Sequence, residues 1–436
     1  MRKRNWIVVT MIAWAGASQV MAEDLLSVYQ EALVNDAEFT AARAQFASIL
    51  ERVPQSRAAL LPSVTLNATS IQNHNDRASS GNQQNYGTGY SVRLSQPLFR
   101  WDSKITYDQT KTLVRQAEAE LELARQDLIL RVSQVYFDVL LAGDTLATLE
   151  TEKKAIAEEL AAATRRFEVG TANITDVRDS KARFDLVKAQ AIAASNEVDA
   201  KQEELRTITN RVPEKLVTLK NAVQLLGPTP AKMDDWVDSA VRDGFAVIAK
   251  QAALDIADLE TDKALAGHYP TLNLTASVGD NTSKNNNNGA GTGVNEPSVG
   301  VEFSMPIFSG GATLARQRET THLLEKAAAE LDSARRNGAL GTRQAFLKAT
   351  SGLAQVAALQ EALGSARTAL AANRRGLELG VLANIDVLNA QKQVSQTERD
   401  LARARYETLL ALLKLKAASG RLGESDVVEV NALLGA

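Results

Sequence analysis

The sequence predicts an internally duplicated chain of the mixed α+β class, each half holding a pair of β-strands and long coiled-coil helices. Three observations carry that reading. Short motifs recur in fixed order about half a chain apart. Two stretches of about 67 residues hold a helical apolar period. Four shorter segments alternate polar and apolar residues, as strands with unlike faces do.

The repeats come first because they organise everything else. Leu61-Pro62-Ser63-Val64-Thr65-Leu66-Asn67 returns 208 residues on as Tyr269-Pro270-Thr271-Leu272-Asn273-Leu274. Gln96-Pro97-Leu98-Phe99 returns after 209 as Met305-Pro306-Ile307-Phe308. Arg166-Phe167-Glu168-Val169-Gly170 and Ile174-Thr175-Asp176-Val177 return after 210 as Gly376-Leu377-Glu378-Leu379-Gly380 and Asn384-Ile385-Asp386-Val387. Four ordered matches with two residues of drift imply a duplicated unit.

Residues 1–22 have the layout of a signal peptide: basic Arg2, Lys3 and Arg4, an apolar run from Trp6 to Ala17, and Val20-Met21-Ala22 for cleavage. An uncleaved N-terminal membrane helix is the alternative. The first repeat is expected over 23–230. It holds an amphipathic helix (Asp24–Arg52), strands over 63–75 and 86–96, helices over 102–168 and 173–209, and a linker over 210–230. The second, 231–436, holds a helix (Asp234–Ala266), strands over 271–281 and 298–305, helices over 312–378 and 384–419, and a C-terminal segment. At ~1.5 Å per residue each first long helix is a rod of about 100 Å.

The long helices read as coiled packing. Leu121, Ala124, Leu128, Val132, Val135, Val139, Ala142, Leu146 and Leu149 step by threes and fours, a heptad-like seam. Leu123, Leu130, Phe137 and Leu141 form a second line. Between Ala312 and Glu378, seventeen residues are Ala, which lets backbones approach closely. An isolated two-stranded coiled coil or stalk is the competing reading, and the strands argue against it.

In the strands Val64, Leu66 and Ala68 fall on one face, Thr65, Asn67 and Thr69 on the other. Tyr90, Val92 and Leu94 alternate with Ser91, Arg93 and Ser95, and Leu272, Leu274 and Ala276 with Asn273, Thr275 and Ser277. This fits transmembrane β-strands with lipid outside and water inside, and equally a half-buried sheet of a soluble domain. The Asn/Gly/Ser-rich connections Asn73–Gly89 and Gly279–Pro297, including Asn285 to Asn288, read as long exterior loops. Phe99, Trp101 and Phe308 sit where strand gives way to helix, as membrane-interface aromatics do. Four strands in lipid leave unpaired edges, each orphan group costing several kcal/mol, so a closed barrel must be shared between chains. Two, three or four copies give eight, twelve or sixteen strands.

Composition removes other classes. There is no Cys, only three His (His74, His268, His322), and aromatics are 5% of the 436 residues. No nucleophile–base or metal constellation suggests an enzyme, and no cofactor or metal is expected. No GxxxxGK[ST] phosphate loop supplies energy. A net charge of −3 gives nothing to draw nucleic acid.

From Leu25-Leu26-Ser27-Val28-Tyr29-Gln30 to Leu412-Leu413-Lys414-Leu415-Lys416 the chain resembles the TolC-like outer membrane channel family. The likeness is most specific in Arg166 to Gly170, Ile174 to Val177, Gly267-His268-Tyr269-Pro270-Thr271-Leu272-Asn273-Leu274 and Ile385-Asp386-Val387-Leu388. The resemblance implies a homotrimer sharing a twelve-stranded β-barrel in outer membrane lipid, continued by a twelve-helix α-barrel across the periplasm. It implies a passive exit duct for type I protein secretion or multidrug efflux. A periplasmic adaptor (membrane fusion) protein and an inner membrane ABC or proton-driven transporter would recruit it, and its cargo would be exported protein or small molecules. A pore-less periplasmic scaffold or adaptor is the alternative.

In that family the turns between paired long helices form the periplasmic tip. Here they are Gly170–Asn173 and Gly380–Asn384, where Gly170, Thr171, Gly380 and Val381 would meet the adaptor. The residues themselves make Gly170 and Gly380 helix C′ positions and Asn173 and Asn384 N-caps. Asp176 and Asp386 then stand in first turns, where a carboxylate favours the helix dipole by ~0.3–1 kcal/mol. The resemblance adds that Asp386 matches the tunnel constriction, where a threefold ring of acids repels anions and binds cations. The family's second constriction Asp falls on Asn389, while Asp179 has the equivalent spacing in the first repeat. The expected constriction set is therefore Asp386, Asn389, Asp176 and Asp179. The family's locking aromatic and Arg fall on Leu377 and Leu382, so Asp176 lacks its expected Arg partner.

Overall fold

The computed structural model describes all residues except 1–22, 78–80, 172, 212, 214, 221–222, 224, 286–290, 296 and 436. The signal-peptide segment and Asn286 to Asn288 thus lie outside the described residues. The first half comprises α1 (Leu25–Asn35), α2 (Ala37–Leu50), α3 (Arg52–Ala58), β1 (Ser63–Arg77), β2 (Gly81–Phe99), α4 (Trp101–Glu168) and α5 (Ile174–Thr209). The second comprises α6 (Met233–Asp243), α7 (Phe245–Ala266), β3 (Thr271–Asn285), β4 (Gly291–Asn295), β5 (Ser298–Ser304), α8 (Ala312–Glu378), α9 (Asn384–Ala418) and α10 (Glu424–Asn431). Among the described residues no helix is long and apolar enough to cross a membrane.

The first amphipathic stretch of each half is two helices, not one. Asp36 turns extended (ψ 123°) between α1 and α2, and its carboxylate caps α2 by accepting the Phe39 N–H at 2.7 Å. Gly244 turns extended (ψ 127°) between α6 and α7. The two breaks are 208 residues apart, the offset of the repeat, so both halves bend at the equivalent residue. Periodicity could not reveal this, because the apolar stripe continues on both sides of each bend. Arg131 of α4 clasps the first bend, donating to both Asp36 oxygens at 2.9 and 3.1 Å. Burial pushes the Asp36 carboxyl up, but Arg131 and the Phe39 N–H outweigh it and hold it below the usual carboxylate range.

The main core surrounds the middle of α4. Leu128, Ile129, Val132, Tyr136 and Phe137 pack with Leu25 and Val28 of α1, Leu205 of α5, Leu409 and Leu413 of α9 and Val427 of α10. Phe137 stacks on Tyr406 at 5.7 Å between centroids, and the Tyr136 hydroxyl donates to the Val217 carbonyl at 2.8 Å. Here the heptad seam is too narrow a description. Ile129, Ser133, Tyr136 and Leu140 are buried on a neighbouring stripe, about 100° round the helix from Leu128, Val132, Val139 and Ala142, while Leu121, Ala124, Val135 and Leu146 are half-buried.

The sheet order is β1-β2-β3-β4, with β5 also on β3. β4 and β5 pair with the far and near parts of β3 respectively, as one return strand interrupted before Ser298. Pro297, which has no N–H to give a ladder, stands in that gap. The expected loop Asn73–Gly89 is mostly strand. The β1–β2 ladder continues to Arg77 opposite Gly81, and only 78–80 lie between the strands. Likewise β3 runs on to Asn285, and Lys284 pairs with Gly291. Backbone groups pair in a ladder whatever the side chains, so Asn/Gly/Ser composition alone does not end a strand.

Cross-strand partners assign the faces. Val64, Leu94, Ala276 and Val299 share one row, and Leu66, Val92 and Val278 the next. Thr65, Arg93 and Ser277 lie on the opposite face. The apolar face is bare: Leu66 is 72% exposed, Val299 79% and Phe303 65%. Within one chain nothing covers this face, as a lipid-facing strand surface requires. Its polar border comes where Asp280 faces Tyr90 and Thr282 faces Thr88. The fifteen residues of β1, at about 3.3 Å each, exceed the bilayer's hydrocarbon thickness, so the strands project beyond it.

Candidate functional site

The tip is built from two equivalent turns. α4 ends in a Schellman motif, with Thr171 N–H on the Arg166 carbonyl at 2.8 Å and Gly170 N–H on Phe167 at 3.0 Å. α8 ends the same way, with Val381 N–H on Gly376 at 2.9 Å and Gly380 N–H on Leu377 at 3.0 Å. Both motifs need a left-handed residue, and Gly170 (φ 76°) and Gly380 (φ 74°) supply it without a Cβ clash.

The helices that follow start at equivalent residues. Asn173 is the N-cap of α5, and its N–H donates to Asp176 at 3.4 Å. The N-cap of α9 is Ala383, not Asn384, and its N–H donates to Asp386 at 3.1 Å. Asn384 is instead the first helical residue, the counterpart of Ile174, and is buried. Its side-chain amide donates to Ser180 Oγ of α5 at 2.8 Å. Asp176 and Asp386 are half-buried, while Asp179 and Asn389 are exposed. Among the described residues none of the three aspartates forms an ion pair. A side-chain hydrogen bond that joins the two hairpins here is Asn384 on Ser180, next in sequence to Asp179 and two residues before Asp386.

The expected lock positions are occupied by packing. Leu377 lies against the cluster of Leu370, Val387 and Val394. Leu382 lies over Gly376, where an added Cβ would come within 2.6 Å of its Cδ1. Further up, Glu152 is buried with Arg183 and Arg399 each 3.6 Å away. Sequence reasoning missed it, although Leu149, Glu152 and Ile156 share one helical stripe.

At the other end, Phe99 and Trp101 stack at 6.4 Å, and the Lys104 ammonium sits 4.5 Å over the Trp101 ring. Phe308 and its neighbour Ile307 are 88% exposed, and Tyr269 and Leu98 are exposed beside them. Ile307 and Leu98 were already visible in the repeated Pro-Leu-Phe and Pro-Ile-Phe motifs, so this apolar belt is wider than three aromatics.

A bare apolar sheet face and two long helical hairpins fit the comparisons. The family model of the outer membrane efflux protein matches residues 28–211 and again 236–421, once per repeat. The chain belongs to the outer membrane efflux protein family. It is 31% identical over 418 residues to the outer membrane protein TolC of Vibrio cholerae, covering 95% of each chain. With the alkaline protease secretion protein AprF of Pseudomonas aeruginosa it shares 30% identity, covering 94% of this chain and 86% of that one. The crystal structure of the Campylobacter jejuni CmeC outer membrane channel superposes with a TM-score of 0.79 at 16% identity, covering 94% and 89%. Family and fold are those of outer membrane channels that reach into the periplasm, not of enzymes. The protein is an outer membrane exit duct of the secretion and efflux class.

Proposed function

We propose that three copies of this chain close one duct, a twelve-stranded barrel in the outer membrane over a twelve-helix periplasmic tunnel. The open edges of the sheet carry this reading. β1 has a partner only on its β2 side, and β4 and β5 only on their β3 side, among the described residues. Edge N–H and C=O groups beside an apolar face have no water in lipid, so they must be met by the next copy. A sheet four strands wide, repeated three times, closes at a size known for such barrels.

In this reading residues 23–230 and 231–436 are the two repeats of one wall segment, behind a cleaved signal peptide at 1–22. Asp386, with Asn389, Asp176 and Asp179, lines the narrow periplasmic end, and the turns at Gly170–Thr171 and Gly380–Val381 meet a periplasmic adaptor. An inner membrane ABC or proton-driven transporter supplies the energy, and exported protein or small molecules are the cargo. Phe99, Trp101 and Phe308 mark the periplasmic lipid interface.

The test is chemical crosslinking of the mature protein in detergent, followed by planar-bilayer recording. A trimer that conducts cations in preference to anions is expected. Crosslinking that stops at monomer or dimer sinks the shared barrel, and a trimer without current leaves only the pore-less scaffold.

A further inference from the structure

We propose that Glu152 is the positioning residue of the constriction, holding α9 against the first repeat; this rests on the reading of Asp386 and Asn389 as constriction residues. Glu152 lies on α4 between Leu149 and Ile156, whose side chains pack with Val187 and Ala191 of α5 and Leu388 of α9. Its side chain is 3% exposed. Arg183 Nη2 of α5 approaches one carboxylate oxygen and Arg399 Nη1 of α9 the other, both at 3.6 Å. Among the described residues Glu152 is the sole ion-pair partner of each guanidinium. Arg183 Nε and Arg399 Nη1 are buried without a hydrogen-bond partner, so the carboxylate's charge is what offsets theirs.

One acid thus joins three helices, and it alone stands between two like charges. On α9 the arrangement has a second anchor, Asn384 on Ser180 at 2.8 Å. The anchors at Asn384 and Arg399 are about 22 Å apart at helical rise. Asp386 and Asn389 fall between them, so the height and rotation of both are set by ties to α4 and α5. A buried ion triad is weak as a stabiliser, because desolvation offsets the attraction. Removing its central acid is a different matter: it leaves Arg183 and Arg399 facing each other and drives α9 from α5.

The test uses the full trimer in planar bilayers, with sensitivity of whole cells to a large antibiotic as a second readout. Glu152→Gln is expected to raise the resting conductance several-fold and to sensitise the cells. Arg399→Gln should do the same, since it cuts the tie to α9. Arg183→Gln should leave conductance near the parent's, because the Glu152–Arg399 pair survives. The triple change of Glu152, Arg183 and Arg399 to Leu should restore a low conductance, as no unpaired charge remains. A structural role alone would lower the thermal midpoint of Arg183→Gln and Arg399→Gln alike and leave conductance unmoved, and that result overturns the proposal. A conducting parent with unchanged variants refutes only the role of Glu152. A trimeric parent that never conducts refutes the duct reading as well.

Discussion

α4 and α8 are equivalent helices of nearly equal length, yet they are buried very differently. α4 buries twenty of its 68 residues and α8 six of 67. The first long helix is wrapped by α1, α5, α9, α10 and the residues around Leu216. The second presents Leu323, Leu340 and Leu347 outward, the last 58% exposed. The duplication therefore gave two copies of one rod with two tasks. α4 is the core of a single chain, and α8 keeps a face for the neighbouring copy in the trimer proposed above.

The largest effects should separate these tasks. Leu128→Ala, in the fully buried part of α4, should cost about 2–5 kcal/mol of unfolding free energy. Leu347→Asp on α8 should change the fold of one chain by no more than about 0.5 kcal/mol. It should nevertheless abolish the trimer on native gels, with helix content by circular dichroism retained. A fully trimeric Leu347→Asp protein would mean that the open face of α8 looks into water.

The bends of the two halves sharpen the same comparison. Asp36→Ala removes a cap and the Arg131 clasp, and about 1–2 kcal/mol should go with it. The Asp36 carboxyl is held below its ordinary value in the folded chain. Its contribution is therefore present above about pH 4, the unfolded value, and fades as pH falls through the lower folded one. Melting curves of the parent and Asp36→Ala should differ at pH 7 and converge in acid. Persistence of the full difference at acid pH would assign the loss to packing. The second bend has no such clasp, since Gly244 has no side chain to accept one.

The duplication, the strand pairs and the long rods are legible in the sequence, because motif order and side-chain period survive without any tertiary context. The buried seam of α8 is not. It runs Thr320, Leu331, Thr342, Ala349, Val356, Leu370, in steps of eleven and then seven or fourteen. An eleven-residue step winds right-handed and a seven-residue step left-handed, so the sense changes near Thr342. Two of the six are threonines, whose hydroxyls are satisfied locally on the Gln317 and Gly338 carbonyls at 3.0 and 2.8 Å. Such residues count as polar in a hydropathy pattern yet bury with their hydroxyls satisfied. Glu152 escaped for a related reason: a lone acid in an apolar stripe shows its partners only once three helices are brought together. Asn384 has the residue type of an N-cap, but the repeat frame aligns it with Ile174, the first residue of α5.

Smaller effects should come from the tip. Asp386→Ala should weaken cation preference and trivalent-cation block, because three carboxylates in a narrow aperture concentrate negative potential. Its stability cost should stay within about 0.3–1 kcal/mol, that of a first-turn acid. Asp179→Ala should shift selectivity in the same direction by less. Planar-bilayer reversal potentials check both, and an unchanged Asp386→Ala channel would make that residue a helix-start residue only.

The smallest expected effect lies back in the wrapped zone of α4, where burial has a cost that α8 avoids. Asp144 sits beside the core and accepts the Tyr406 hydroxyl at 2.7 Å. Burial pushes its carboxyl above the ordinary value, and the Tyr406 bond and the Arg405 charge only partly offset that. A raised carboxyl binds its proton more tightly in the folded chain than in the unfolded one. Its favourable contribution is thus complete below the unfolded value, about pH 4, and is lost as pH rises through the folded one. At neutral pH the ionised form opposes folding. Asp144→Asn stays neutral at every pH and can still accept from Tyr406. It should therefore melt slightly higher than the parent at pH 7, with the gain disappearing below about pH 4. A lower melting point for Asp144→Asn at pH 7 would show that the negative charge is itself part of how α4 and α9 are held together. The wrapped helix would then depend on buried electrostatics at its middle as well as at Glu152.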